Sequence, residues 1–384
     1  MLGMRGVYIL GGGRTPILRR MGLYKHTPPE KLAAELIQKL LTRYNIEVSD
    51  VNGVFAGNAV GTGGNIARLM ALTAGLPAEI SAVTLDAQCA SGLAAVDYAA
   101  ARLWAGQGEV YIAGGMESSS LQPVRRYAKG DARAACCPQG EYMTAQFSPD
   151  ELAEDAMLKG AERVAAKEHV MRAELDAIAL ESHQKACRAI NEGWLSPLVY
   201  EIQGAKADDG PHHGLTKKLL ARMPLFYGEN SATTAGNSCR MNDGAAFVIL
   251  CSERYLKRTG MAPMARVSAT ELYGGDAAYS PYGAMQAADR LLRQHHLSYE
   301  ELAAVEFNEA FAVINALFLR AHPELKERYN RLGGALAYGH PYGASGAVYL
   351  LHLLRSMQLF GGGKGIFSIA GAGGMGTAIL VESS

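Results

Sequence analysis

Short apolar runs alternate along this chain with longer stretches in which apolar residues return every three or four positions. GVYIL (6–10) predicts a buried strand, and PEKLAAELIQKLLTRY (29–44) carries apolar residues at helical spacing. VNGVFAG (51–57), AVTLDA (82–87) and EVYIAGG (109–115) read as further strands separated by helices. Such alternation is the mark of a layered α/β fold. From about 118 to 230 the texture changes. A charged, turn-rich stretch (VRRYAKGDARAACCPQGEY) leads into two helical patterns, 150–168 and 172–191, and then a mixed loop containing HHGLTKK. After AAFVILCS (245–252) the alternation resumes to the end.

The chain also echoes itself. Cys89 is followed by ASG (90–92), a helix to about 106, the strand EVYIAGG, and glycines at 114–115. His340 is followed by PYGASG (341–346), a helix to about 358, the strand GIFSIAG, and glycines at 371, 373 and 374. Two copies of turn, helix, strand and glycine point to duplicated halves. If these pack about a pseudo-twofold axis, the two helix starts converge and Cys89 meets His340.

Composition narrows the options. With 384 residues, more than one core is expected. Lys+Arg and Asp+Glu both number 37, which argues against a general nucleic-acid binder or a membrane-surface protein. No apolar run approaches the length of a membrane span, and the opening MLGMRGVYILGGG does not read as a secretory signal. Six cysteines in so long a chain do not resemble a disulfide framework. The expected setting is a reducing cytoplasm.

A cysteine at a helix start is favoured as thiolate by the free N–H groups and partial positive charge there. Small neighbours let a thioester approach the backbone, whose N–H groups can hold an oxyanion. A histidine within reach can take the thiol proton and return it. The plainer reading of Cys89 is a small buried filler, and of His340 a turn or cap residue. Other signals fail. GGGRTP (11–16) lacks the last glycine of a dinucleotide fingerprint, and GGGKG (361–365) lacks the hydroxyl residue of a P-loop. Adjacent Cys136 and Cys137 have the wrong spacing for a zinc pair. No metal site is expected. His212–His213, for which a phosphate-facing loop is the alternative, and His295–His296, with a helix end as the alternative, both read best as solvated surface.

RTP (14–16), GNIARLMALTAGLP (64–77), QCASGLAA (88–95), AGGMESSS (113–120), TTAGNSCRMNDGAA (233–246), NEAFA (308–312), GGALAYGHPYGASGA (333–347) and GGMG (373–376) occur in one order. On these motifs the chain resembles the thiolase family from end to end. The resemblance implies the thiolase fold: two tandem βαβαβαββ halves in a five-layer α-β-α-β-α arrangement with an inserted loop domain. The expected division is 1–117 with 231–257 for the first half, 118–230 for the loop domain, and 258–384 for the second half. It also implies roles. Cys89 is the nucleophile that becomes acylated and His340 its base. Asn308 holds a water that completes one oxyanion hole with His340. The backbone N–H groups of Cys89 and Ala372 form the second hole. Met157, Ala235 and Phe311 line the acyl and pantetheine pocket, and Cys239 occupies the serine position of the AGNAS stretch beside it. Lys217, Lys218 and Arg222 are candidates for the phosphates of coenzyme A, with a solvated helix face as the alternative.

The departures bear on function. Thiolases carry a second catalytic cysteine in a C-x-G-G-G pattern, and here that stretch reads SIAGAGGMG with Ala370 in its place. A histidine before Met157 is Ala156, the residue after Cys239 is Arg240 rather than glycine, and Met223 takes the slot of an expected arginine beside Arg222. Acylation of Cys89 should survive these changes, whereas removal of an α-proton lacks its usual thiol. Tyr338, Tyr342 or a water could replace it. Three readings follow: a thiolase-type acyl-CoA acyltransferase, a decarboxylative condensing enzyme of ketoacyl-synthase type, or a non-catalytic acyl-CoA-binding subunit. The resemblance implies coenzyme A thioesters as substrates, no permanently bound cofactor, no nucleic-acid or membrane partner, and a homodimer, with a homotetramer as the alternative.

Overall fold

The structure is a computed structural model that describes residues 5–149 and 155–383. The helical patterns read from sequence appear as Ala156–Lys167 and Arg172–Asn191; positions 150–154 of the first expected helix lie outside the described residues. Nine strands form one continuous sheet. Their order is Ala304–Phe307, Gly363–Gly371, Met375–Ser383, Ala265–Gly274, Val7–Arg14, Asn242–Ser252, Val110–Ser118, Val51–Gly57 and Ser81–Leu85. The short Leu18–Arg19 adds to Asn242–Ser252. Val7–Ile9 pairs with both Asn242–Ser252 and Ala265–Gly274, which stitches the two halves together.

The echo in the sequence is an echo in topology. Outward from Val7–Arg14 come two antiparallel neighbours and then two parallel ones. Outward from Ala265–Gly274 come two antiparallel neighbours and then one parallel. Where the first half has its edge strand Ser81–Leu85, the second has only a single parallel bridge between Val305 and Tyr329.

Helices Pro29–Arg43 and Ile66–Thr73 cover the outer face of the first half, and Tyr282–Gln294 and Ala312–Ala321 the outer face of the second. Between the halves lie Ser91–Trp104 and Tyr342–Phe360, which touch each other and strands of both halves. This gives the five layers. Burial explains the sequence texture: Val110–Ser118 is buried at every position, so it reads as an apolar run up to Met116 before the buried Glu117 and Ser118. Tyr342–Phe360 is enclosed along most of its length and is correspondingly apolar on all sides. The solvent-facing Pro29–Arg43 shows a single apolar stripe of Leu32, Ala33, Leu36, Ile37 and Leu40, with proline at its start and Arg43 in its last turn.

The segment between Val110–Ser118 and Asn242–Ser252 runs over the face where the central helices begin. It is tied down by a buried, bidentate ion pair in which Arg14 Nη1 and Nη2 donate to Asp208 at 2.7 and 2.8 Å. Glu309 forms a second anchor. Its carboxylate accepts from Ser182 Oγ (2.5 Å), Asn315 Nδ2 (2.8 Å) and Asn330 Nδ2 (2.9 Å).

Candidate active site

Strand Ser81–Leu85 gives way to a sharp turn before helix Ser91–Trp104. Gln88 takes a left-handed φ of 54°, a strained choice for a residue with a side chain. Asp86 Oδ1 accepts from the Gln88 N–H at 2.8 Å, and Ser91 Oγ accepts from Ala87 N at 2.9 Å and donates to Gln88 O at 2.5 Å. These bonds fix the turn and set Cys89 just ahead of the helix, 9% exposed.

His340 is held as firmly. Its N–H donates to Arg240 O (3.1 Å) and Asn242 Oδ1 (3.0 Å). The residue is 1% exposed, and ring Nδ1 lies 2.6 Å from Ser345 Oγ. Ser345 Oγ also lies 3.2 Å from Pro341 O, an acceptor only. With the hydroxyl proton turned to Pro341, His340 donates Nδ1–H to Ser345. That tautomer leaves Nε2 with its lone pair free, and Nε2 has no hydrogen-bond partner. Burial pushes the His340 pKa down to about 3, so the ring is neutral at physiological pH.

Cys89 and His340 open on one cavity of about 380 Å³. Met157, Ala235, Cys239, Phe311 and Ala372 are also in its wall, as are Tyr342, Gln88, Arg20 and Arg240. All the sequence-derived pocket residues are thus brought together. The N–H groups of Cys89 and Ala372 face the Cys89 sulfur and favour its ionised form. The expectation of a thiol acidified by its helix start is nevertheless corrected. Burial first, and the Glu117 carboxylate second, push Cys89 up to about 12, so desolvation outweighs the helix terminus and the thiol is protonated at rest.

Asn308 is fully buried, two residues from cavity-lining Ala310, and both its amide oxygen and nitrogen lack partners. A buried amide with neither end satisfied costs about 1–3 kcal/mol per group, a cost that a polar ligand or water at the site removes. Lys217, Lys218 and Arg222 are exposed on and beside the short helix Lys217–Ala221 and are not in the cavity wall. Tyr338 is fully enclosed, its hydroxyl near Leu332 O and Ala186 O, and it does not face the cavity. Tyr342 does, and packs edge-on to His340 with ring centroids 4.9 Å apart. All six cysteines are free.

Sequence reasoning missed two supports. Ser345, inside the quoted GASG, orients the imidazole. Glu117, inside AGGMESSS, accepts from Asn58 Nδ2 (2.8 Å), Ala59 N (2.9 Å) and Gly343 N (2.9 Å) beneath the two helix starts. A hydroxyl one turn into the histidine's helix was a signal for the first; the second had none.

Residues 7–254 match the family model for the thiolase N-terminal domain, and residues 261–383 that for the thiolase C-terminal domain. A Staphylococcus epidermidis protein provisionally named acetyl-CoA C-acetyltransferase VraB is 34% identical over 387 residues, covering 99% of each chain. A Staphylococcus aureus protein of the same name is 34% identical over 98% of this chain and 99% of its own. Among solved structures, the Bacillus anthracis acetyl-CoA acetyltransferase superposes with a TM-score of 0.92 at 29% identity, over 99% of both chains. Human mitochondrial 3-ketoacyl-CoA thiolase in complex with CoA gives 0.89 at 27%, over 99% of this chain and 98% of its own. With both family domains matched in order along nearly its whole length, the chain belongs to the thiolase family.

Proposed function

We propose that this protein is an acyl-CoA acyltransferase of thiolase type that works through an acyl thioester on Cys89. The observation that carries this reading is a buried thiol and a buried neutral imidazole with a free Nε2 on one cavity. Nε2 takes the thiol proton as sulfur attacks the acyl carbonyl. Proton transfer during attack is what a thiol raised to about 12 requires, since almost no thiolate exists beforehand. The N–H groups of Cys89 and Ala372 point where the oxyanion forms. Asn308, with a water and His340, serves the oxyanion of the second half-reaction. Lys217, Lys218 and Arg222 meet the phosphates of coenzyme A outside the cavity. The exposed edge strand Ser81–Leu85, with Val83 and Tyr98 facing solvent, supports a homodimer through the first half.

Intact-protein mass spectrometry after incubation with a panel of acyl-CoAs tests this. An acyl adduct on the wild type that Cys89→Ser lacks is expected. No adduct with any acyl-CoA overturns the reading and favours a non-catalytic binding subunit.

A second reading has an observation of its own. Arg20 and Arg240 are in the cavity wall and form no ion pair among the described residues. A malonyl-type thioester would supply the missing carboxylate, and loss of CO₂ would generate the carbanion with no α-proton to remove. Malonyl-CoA outperforming acetyl-CoA as second substrate would select it.

A further inference from the structure

We propose that Cys239 is the second working thiol of this site, the group that takes the α-proton of the incoming acyl-CoA. The proposal rests on the acyl-transfer reading above.

Backbone geometry places Cys239 between the two segments that carry the polar groups of the site. Its N–H donates to Ala310 O at 2.9 Å, and neighbouring Ser238 bridges Phe311. On the other side, His340 N–H donates to Arg240 O at 3.1 Å, and Met241 bridges His340. Residues 238–241 are thus laced between the Asn308 segment and the His340 turn. The cavity wall holds both Cys239 and Cys89, and the two thiols are close enough that ionisation of Cys89 opposes that of Cys239. Ala370, by contrast, is 2% exposed, packs in the outer core of the second half, and is absent from the wall.

Elimination leads to the same residue. No carboxylate is among the described residues of the wall. Apart from its arginines and the very weakly acidic hydroxyls of Thr144 and Ser238, the wall residues able to exchange a proton are Cys89, His340, Cys239 and Tyr342. Acylation occupies the first two. A thiol is intrinsically a stronger acid than a phenol, by about 1.5 pH units. Burial first, and neighbouring Cys89 second, raise the Cys239 thiol well above its usual value, while its own backbone N–H and the charge of Arg240 favour the thiolate. Its guanidinium is pinned by Gly210 O (2.7 Å) and Ala337 O (3.2 Å) and meets no carboxylate among the described residues. Tyr342 is raised likewise, by burial and then Cys239, Cys89 and Glu117 against the charge of Arg20, so the intrinsic difference between thiol and phenol leaves Cys239 the better acid.

The proton accounting closes. As the Cys89–acyl bond forms and the acyl–CoA bond breaks, His340 Nε2 receives the Cys89 proton and Cys239 S–H protonates the departing CoA thiolate. The Cys239 thiolate then takes the α-proton of the second acyl-CoA. The carbanion attacks the acyl carbonyl, the bond to Cys89 breaks, and Cys89 recovers its proton from His340. Two acyl-CoA molecules give one 3-ketoacyl-CoA and one CoA, with every protein group restored.

The test separates the two half-reactions. Wild type, Cys239→Ala, Cys239→Ser and Tyr342→Phe are incubated with acetyl-CoA in D₂O. The acetyl adduct on Cys89 and the deuterium entering the acetyl methyl are both read by mass spectrometry. Both Cys239 variants are expected to acylate Cys89 more slowly, because the departing CoA thiolate must then take its proton from water, while deuterium exchange falls about 10²–10⁴-fold beyond that; Tyr342→Phe keeps both. If Cys239→Ala does not acylate, Cys239→Ser, nearly the same size and a far weaker acid, decides alone. Exchange that persists in Cys239→Ser, or a wild type that acylates but never exchanges, overturns the role of Cys239 and leaves acyl transfer standing. A wild type that does neither overturns both.

Discussion

A β-carbon on Gly92 would stand 2.6 Å from the carbonyl oxygen of Gly343, and one on Gly346 would stand 2.1 Å from the Leu93 nitrogen. The first turns of the two central helices are therefore in backbone contact. Cys89 lies three residues before Gly92, and His340 three before Gly343. The contact is what delivers both reactive groups to one cavity.

Gly92→Ala should accordingly force the helices apart. The atoms that a β-carbon there would meet, Gly343 O, Gly346 N and Ala347 N, are all backbone, so relief needs backbone movement, at a cost of about 1–3 kcal/mol or more. The expected outcome is a lower melting temperature together with a loss of Cys89 acylation out of proportion to the loss of fold. Wild-type acylation in a stably folded Gly92→Ala protein would contradict it.

The neutral imidazole makes a pH prediction. His340 has its folded pKa depressed to about 3 from 6.5. Between those values the unfolded chain binds a proton that the folded one does not, so stability falls as pH falls. Measured against His340→Asn, the wild type should lose about 1.4 kcal/mol per pH unit on acidification from 6.5 toward 3. A stability difference that is flat across this window would show the ring to be charged in the fold. Ser345→Ala should slow acylation by removing the acceptor that keeps the proton on Nδ1.

Alkylation of Cys89 by iodoacetamide reads the thiol directly. Because burial holds the group near 12, the rate should climb through pH 9 without reaching a plateau. A plateau near pH 7 would mean an ionised resting nucleophile. A bound acyl group should block the reaction.

Asn308 separates stability from catalysis. Its amide meets no protein partner at either end, so Asn308→Leu breaks no hydrogen bond within the protein and should change the melting temperature little. Turnover should fall about 10²–10³-fold, the usual effect of deleting an oxyanion donor. A large drop in stability with unimpaired turnover would assign the side chain to the fold alone.

The cluster outside the cavity is tested by reversing charge. Lys217→Glu with Lys218→Glu should raise KM for coenzyme A thioesters and weaken its salt dependence. The rate with an acyl thioester that lacks the nucleotide should not change. Equal effects on both substrates would remove these lysines from nucleotide binding.

Much of this protein was fixed locally, and so was legible in order along the chain. Apolar periodicity marked Pro29–Arg43, Val110–Ser118 and Tyr342–Phe360 because each element's pattern reports the faces it buries. The repeated turn and helix named Cys89 and His340 because small residues at a helix start are a local requirement for backbone contact. The ionisation of Cys89 was decided by tertiary structure. A helix start argues for thiolate, but enclosure between the two halves removes water, and the loss of solvation outweighs the helix start. The same enclosure selected the His340 tautomer through Ser345 and Pro341. It also brought Cys239, 150 residues from Cys89 in sequence, into the wall that Ala370 does not reach. Spacing along a chain records which face a residue presents to its own element. Which groups then share a dry cavity depends on how the halves close, and that was set only when the two helix starts met.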